Sequence, residues 1–555
     1  MESKVINDWR MFFSLDKNTE KLESGQILII PSEDKWNDFK HKIQVRVYFK
    51  TENNDLFSFE CFFAFVPETS NEVEEGLRFR LQEYLKNTNS KKDLILIDNF
   101  ETFITMLPTI GDYRKLVKAV TPVVANSVLK SISDMVYWEE HHQKTDEWFI
   151  NGKKSLVFRE AFMRSSESYF AFHSAGDILK GLDFESFDVI SKDLDLNFQL
   201  DSFSNPHQIN FRFSQDAILP KRINIMIGKN GLGKSQALNK IVHSLVGRPD
   251  HLNNLRDPKG KSPRPLINRL IAIGTPGEVF NTFPRPRVKR PRIKYKLLNM
   301  ARNSKSQNAV TGASFQQLLR SEDVIGNRFR FDIFYDSVSK CLPVDDIVIP
   351  IDDYDGLPPF YPLSGFKERN LGEQKRLLLL GAISEKAEPK IFRDGTIYPL
   401  SSGQLSFFKV ALLACLHIEN GSLVLLDEPE THLHPNLVSD FISLLNTLLK
   451  STGSYSIIAT HSAYFVRETS REQVHVFKEM PDRGISIVNP RLKTYGANIG
   501  DISHFVFDDN IDDKLTDNIL ENIRDEKGNI DFDLDSLKSE LSTEVLMSLK
   551  REISS

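Results

Sequence analysis

The stretch "RINIMIGKNGLGKSQALNKIVHSLV", residues 222–246, decides the fold. An apolar run reads as a buried strand, a glycine-rich turn follows it, and a helix with apolar spacing begins after the turn. Within it "GKNGLGKS", residues 228–235, meets G-x-x-x-x-G-K-S at every fixed position. Strand, loop and helix in that order let backbone amides wrap phosphate oxygens. Gly228, Gly231 and Gly233 allow the amides to turn inward, with Asn230 in the turn between them. The helix starting near Lys234 adds its positive dipole end, Lys234 a point charge, and Ser235 a hydroxyl suited to Mg²⁺.

Three later stretches bear on the same chemistry. "SLVLLDEPE", residues 422–430, delivers Asp427 and Glu428 at the end of a buried strand, beside the phosphate site of a doubly wound sheet. Asp427 suits Mg²⁺ through water, and Glu428 suits the base that orients an attacking water. "IIATHS", residues 457–462, ends a further strand with His461, where a neutral imidazole can donate to a terminal phosphate or to the water. "YPLSSGQLSFFKVALLACLH", residues 398–417, places Ser401, Ser402, Gly403 and Gln404 ahead of an apolar helix. Taken alone, that start is an ordinary helix cap. His432 and His434 in "ETHLHP" are spaced like some metal pairs, but Pro435 follows and no third ligand is near, so the stretch reads as a turn.

With 555 residues, 40% apolar and 26% charged, the chain is expected to form two to four globular domains. No apolar run approaches a membrane span and the start carries no signal-peptide block, so the expected location is the cytoplasm, with no membrane partner. Cys61, Cys341 and Cys415 are odd in number and widely spaced, and read as core thiols. The net charge of −5 conceals an asymmetry: residues 247–305 hold fifteen Lys and Arg against three acids, while the remainder is −17. That basic segment is a candidate nucleic-acid surface, for DNA or an RNA–DNA hybrid. A solvated face, or a partner for the acidic tail, is the competing reading.

Residues 1–185 read as an α+β region of unassigned role, with strand alternation in "KIQVRVYFK" and "FSFECFFAFV" and helical spacing in "EVEEGLRFRLQEYLKN". Residues 186–495 form an α/β unit with a predominantly parallel sheet and a mostly helical insertion at about 312–395. Residues 496–555 are an acidic tail, with "DDNIDD" and "DFDLD" as its plainest clusters.

In this order the phosphate loop, "LSSGQ", "DEPE" and "THS" resemble the ATP-binding-cassette superfamily over roughly residues 190–495. The resemblance implies a mixed-sheet P-loop ATPase with a helical subdomain, using ATP and Mg²⁺. It also implies a composite site in which the signature of one subunit grips the γ-phosphate held by another, and hence a homodimer or higher oligomer. Ser401 takes the signature serine's place and Gly403 a signature glycine's, whereas Ser402 departs from the family by replacing the other glycine. The family's glutamine loop has no clear position; Gln307, Gln316 and Gln317 are candidates. A transporter motor would not carry "DEPETHLHP", and the long coiled coils of chromosome-maintenance ATPases are missing. That nonapeptide, with "LIAIGT" and "TYGANIG", resembles the soluble ATPases of the overcoming-lysogenisation-defect and Septu group, the retron-associated Septu form above all. About sixty residues follow "TYGANIG", too few for a fused nuclease. The resemblance therefore implies anti-phage defence through a separate HNH-type nuclease, PtuB-like in kind. The alternative is a repair- or recombination-type cassette ATPase acting on DNA. "DFDLD" reads as a solvated acidic turn.

Overall fold

A computed structural model of the chain describes residues 9–507 except 18, 33–41, 67–75, 89–93, 101, 142–145, 181–189, 216, 261, 275–278, 286–290, 300–310, 322–323, 326–327, 353–356, 368–372 and 386–387; beyond 507 it describes only scattered positions. The acidic clusters of the tail, Gln307, and Arg287, Lys289 and Arg290 of the basic segment lie outside the described residues.

Burial, more than propensity, sets the central sheet. Ile223–Gly228 and Tyr455–Thr460 are buried at every position, as strands covered on both faces must be. The sheet has seven strands, in the spatial order Lys294–Asn299, Arg269–Gly274, Ser422–Asp427, Tyr455–Thr460, Ile223–Gly228, Val474–Glu479, Ile485–Val488. All neighbours run parallel except the last pair. The strand that feeds the glycine loop therefore lies next to the strand ending before His461, which in turn flanks the strand ending in Asp427. Three chemically distinct chain segments converge at one end of the sheet.

The helix Lys234–Val246 packs on one face, together with an antiparallel three-stranded sheet built from Asp193–Phe198, His207–Arg212 and Leu255–Arg256. The helices Ser402–His417 and Val438–Thr452 cover the other face. Ser402–His417 is buried nearly all round, because Thr311–Arg320 and Arg330–Val338 pack outside it. In the section expected to be mostly helical, helix exceeds strand among the described residues, but beside the helices runs a four-stranded antiparallel sheet, ordered Phe360–Pro362, Ile347–Pro350, Lys390–Arg393, Thr396–Pro399, whose last strand lies just past the section. The apolar residues of "VDDIVIP" pair as a strand rather than following the helical period. The "YDGLPPFYPL" stretch contributes one of those strands, and Tyr361 packs its ring 5.0 Å from that of Phe366.

The N-terminal part forms a separate six-stranded sheet whose one parallel pair is Arg10–Phe13 with Gln26–Pro31. Its core gathers Phe13, Phe63, Tyr113, Phe162 and Phe170 with the helices that follow. Beyond the strands the chain turns helical, in Ile110–Val120, Pro122–Ser131 and Met135–His141. Pro122 ends the first and starts the second, since it cannot donate within a helix. This region is tied to the central sheet: Phe170 lies where a side chain on Gly421 would sit, and the Arg264 guanidinium donates to the carbonyls of Met163 and Arg164.

Cys61 and Cys415 are buried and Cys341 half-buried, all as free thiols. Among the described residues no helix is long and apolar enough to cross a membrane.

Candidate functional site

The loop at 228–235 follows directly from its glycines. Gly228, Gly231 and Gly233 have φ of 154°, 83° and 93°, a region closed to most side chains. Gly228 also has no room for one, because a Cβ would lie 2.5 Å from the carbonyl oxygen of Phe477. The helix starts at Lys234, directly after the last glycine.

Lys234 is buried, and its ammonium donates to the carbonyls of Gly228 and Lys229, both at 2.8 Å. Burial lowers its pKa to about 8, against the pull of Glu428, Asp427 and Glu430. Its Nζ stands 3.5 Å from Nδ1 of His461. Burial, and then Lys234, push His461 down to about 4, so the imidazole is neutral at pH 7. Nδ1 then accepts from the ammonium, and Nε2–H donates to Oε1 of Glu428 at 3.1 Å. A continuous polar path links the loop lysine to the strand-end glutamate.

Asp427 completes the cluster. Its Oδ1 accepts from the Ser235 hydroxyl at 3.1 Å and its Oδ2 from Thr282, while burial raises its pKa. Ser235 and Asp427 present only oxygen to the space between them, the donor chemistry that Mg²⁺ selects when phosphate oxygens and water supply the rest. Among the described residues no three His, Cys, Asp or Glu gather as a self-sufficient metal cage. His434 caps the next turn by accepting from the Asn436 amide, in accord with a turn at "ETHLHP".

Glu428 has φ 46° and ψ 54°, a left-handed conformation uncommon for a residue with a side chain. Its amide donates to Ala459 O at 2.9 Å, which anchors the strained turn to the neighbouring strand. Strain of this kind persists only where surrounding contacts over-determine it.

Two contributors escaped the sequence reading. Glu430 accepts from the Thr460 hydroxyl at 2.6 Å and from the His461 amide at 2.7 Å, so it fixes the backbone that carries the histidine. Thr282 reaches Asp427 from the segment after Arg269–Gly274. The third acid of "DEPE" offered a signal for the first; nothing local marked Thr282. Gln316 is used structurally, donating to the carbonyls of Leu380 and Ile383.

The signature stretch stands apart from this cluster. Ser401 and Gln404 form a reciprocal capping box, Gln404 N donating to Ser401 Oγ at 3.3 Å and Ser401 N to Gln404 Oε1 at 2.9 Å. Gly403 is buried against Leu437, where a Cβ would come within 2.6 Å of a methyl group. Ser401 and Ser402 are exposed. The structure thus brings together Lys234, Ser235, Asp427, Glu428 and His461, and leaves Ser401 and Ser402 exposed on a separate helix start, with Gly403 buried beneath them.

The basic segment is partly spent within the fold. Arg264 binds backbone carbonyls, Arg269 and Lys294 pair with Glu167, and Lys259 pairs with Asp193. These cations hold elements together.

Loop, strand-end acids, histidine and parallel sheet define a P-loop ATPase domain of the mixed α/β, cassette-like class. In keeping with it, residues 350–467 match the family described as "AAA domain, putative AbiEii toxin, Type IV TA system". The protein ea59 of Escherichia phage lambda is 24% identical over 426 residues, covering 73% of this chain and 74% of that protein. Among solved structures, the SMC head domain from Thermotoga maritima is 15% identical, with a TM-score of 0.27 over 54% of this chain and 99% of its own. The cbiO1 structure from Clostridium perfringens is 14% identical, with a TM-score of 0.28 over 60% and 95%. TM-scores this low add nothing to what the sheet order and the loop establish.

Proposed function

We propose that the chain is an ATP-hydrolysing conformational switch, and the observation that carries this is the Lys234–His461–Glu428 path beside the Ser235–Asp427 pair. Lys234 exchanges its two loop carbonyls for phosphate oxygens. Glu428 orients the attacking water, and neutral His461 holds Glu428 and senses the terminal phosphate. Bound Mg²⁺ would be held by Ser235 and, through water, by Asp427, and would neutralise charge on the phosphates. Gly228, Asn230, Gly231 and Gly233 supply the amide cradle.

Ser401, Ser402, Gly403 and Gln404 act in trans, on the nucleotide of a second copy. Their outward position supports this: the capping box and Leu437 account for their local structure, while the exposed serines have hydroxyls to offer a partner's phosphate. The smallest competent unit is then a head-to-tail homodimer. Ser401→Arg removes a helix cap worth about 1 kcal/mol, so the melting temperature should fall by only a few degrees and nucleotide affinity stay near the parent's, yet ATP-dependent dimerisation in light scattering should be abolished. A parent chain that hydrolyses ATP fully as a monomer would remove the composite site from consideration.

At a finer level we read the switch as part of an anti-phage defence module that restrains a separate HNH-type nuclease, with retron-type RNA–DNA as a further ligand of residues 247–305. The motif order and the matching family's description as a toxin of a type IV TA system support this setting. A repair- or recombination-type ATPase acting on DNA is the second reading. Affinity purification of the full chain from its host separates them. A co-purifying nuclease that cuts only in the presence of this chain is the expected result; duplex DNA alone, with no protein partner, would favour repair.

A further inference from the structure

A cavity of about 450 Å³ lies at the joint between the N-terminal region and the central sheet. One wall is the helix Ile110–Val120, which buries Ile110, Tyr113, Leu116 and Val120 and turns Arg114, Lys115 and Lys118 into the cavity lining. The other wall is Arg269 at the start of its strand, with Glu167 and Glu419. Since the strands are parallel and the phosphate loop sits at their far ends, this cavity is not an extension of the nucleotide site.

Among the described residues that line the cavity, cations outnumber carboxylates. Glu167 already pairs with Arg269 at 3.0 Å and Lys294 at 3.6 Å, and Glu419 with Arg330 and, at 3.6 Å, Arg269. Three cations thus share the two carboxylates, and Lys115 and Lys118 add positive charge to the same space. Nearby His417 reports the field: burial first, then Lys296, Arg269, Arg330 and Lys294, push it down to about 4. Arg114 is held in the wall by donating to Val324 O at 3.1 Å. The lining also includes Thr109 and Gly111 at the positive end of an eleven-residue helix.

We propose that this cavity binds a phosphate-bearing ligand of nucleotide size. The cations can surround a phosphate, and the volume, within the usual range for small-molecule sites, leaves room for a base and sugar. Such a ligand competes for Arg269 with Glu167 and Glu419. Glu419 is also gripped by Arg330, whose guanidinium donates to the carbonyls of Cys415 and Ile418 at the end of the helix that Ser401 begins. Occupancy therefore bears on the signature helix from its far end. The phosphate can belong to a free nucleotide or to the 5′ end of a nucleic-acid strand.

The test is calorimetric titration of the full chain carrying Lys234→Ala, which silences the phosphate loop. The probes are adenosine monophosphate and a five-residue oligothymidylate with either a 5′-phosphate or a 5′-hydroxyl. Saturable one-to-one binding of adenosine monophosphate is expected, weakened at least about tenfold by adding Lys115→Gln and Lys118→Gln, whose outward position spares the fold. Binding of the 5′-phosphorylated oligonucleotide alone would uphold the site and assign it to strand ends. No binding of either phosphorylated probe at millimolar concentration would overturn the proposal. So would affinity unchanged by the two lysine substitutions in a variant with the parent's melting temperature, or equal binding of the 5′-hydroxyl oligonucleotide.

Discussion

Glu428→Gln is expected to lower ATP turnover by about 10²- to 10⁴-fold, the usual contribution of a positioned general base, while nucleotide binding is retained. The amide keeps the shape of the carboxylate, and its oxygen can still accept from Nε2 of His461, 3.1 Å from Oε1 in the parent. What it loses is the capacity to take a proton from water. The strained left-handed backbone at this position should be unaffected, because the amide of residue 428 still donates to Ala459 O. Removing one negative charge beside the phosphates should also lengthen the life of the ATP-bound dimer. Single-turnover hydrolysis and size-exclusion chromatography with ATP measure both effects. Turnover equal to the parent's would remove Glu428 from the role of base and direct attention to the neighbouring buried Glu430.

Lys234→Ala is expected to weaken ATP binding by about 10- to 100-fold or more, since the ammonium makes charge-assisted hydrogen bonds to phosphate worth roughly 1.5–3 kcal/mol. It would also leave the carbonyls of Gly228 and Lys229 without their donor, and Asp427, Glu428 and Glu430 without their nearest cation. A pH dependence follows from the same residue. Its pKa is lowered to about 8 in the nucleotide-free protein, so a fraction of the lysine is neutral at pH 8. A bound polyanion favours the charged form and raises that pKa again. Nucleotide binding should therefore take up protons near pH 8, and affinity should fall as pH rises from 7 to 9. Titration calorimetry in two buffers of different ionisation enthalpy measures the uptake. Parent-like affinity in the alanine variant, or no proton uptake in the parent, would sink the assignment.

The local signals that survived folding are those whose physics is local. Glycines at 228, 231 and 233 mark a turn needing positive φ, and the apolar run before them marks a strand buried on both faces, wherever the rest of the chain goes. The serine ahead of an apolar helix marks a cap by position alone, and Ser401 caps the helix, with Gln404 closing the reciprocal bond. By contrast, "VDDIVIP" was submerged in a section expected to be mostly helical, because its strand partners, Phe360–Pro362 and Lys390–Arg393, lie farther along the chain; "KIFRDGTIYP" pairs with itself across Asp394 and Gly395, a local hairpin signal that the sequence reading passed over. A count of charges in the basic segment likewise cannot reveal that Arg264, Arg269 and Lys294 are committed to residues 163–167.

Sequence by itself determined the phosphate loop, the strand-end acids, the histidine and the cassette-like order in which they occur, since each is a short pattern carrying its own chemistry. Only the tertiary structure decided how they act on one another. The strand order sets the Ile223–Gly228, Tyr455–Thr460 and Ser422–Asp427 strands side by side, and so brings Lys234, His461 and Glu428 into one hydrogen-bonded path although Lys234 lies some two hundred residues from the other two. The same folding recruited Glu430 and Thr282, and opened a basic cavity between a helix at residue 110 and a strand at residue 269. Distance through space, which governs hydrogen bonding and charge interaction, is not written in distance along the chain.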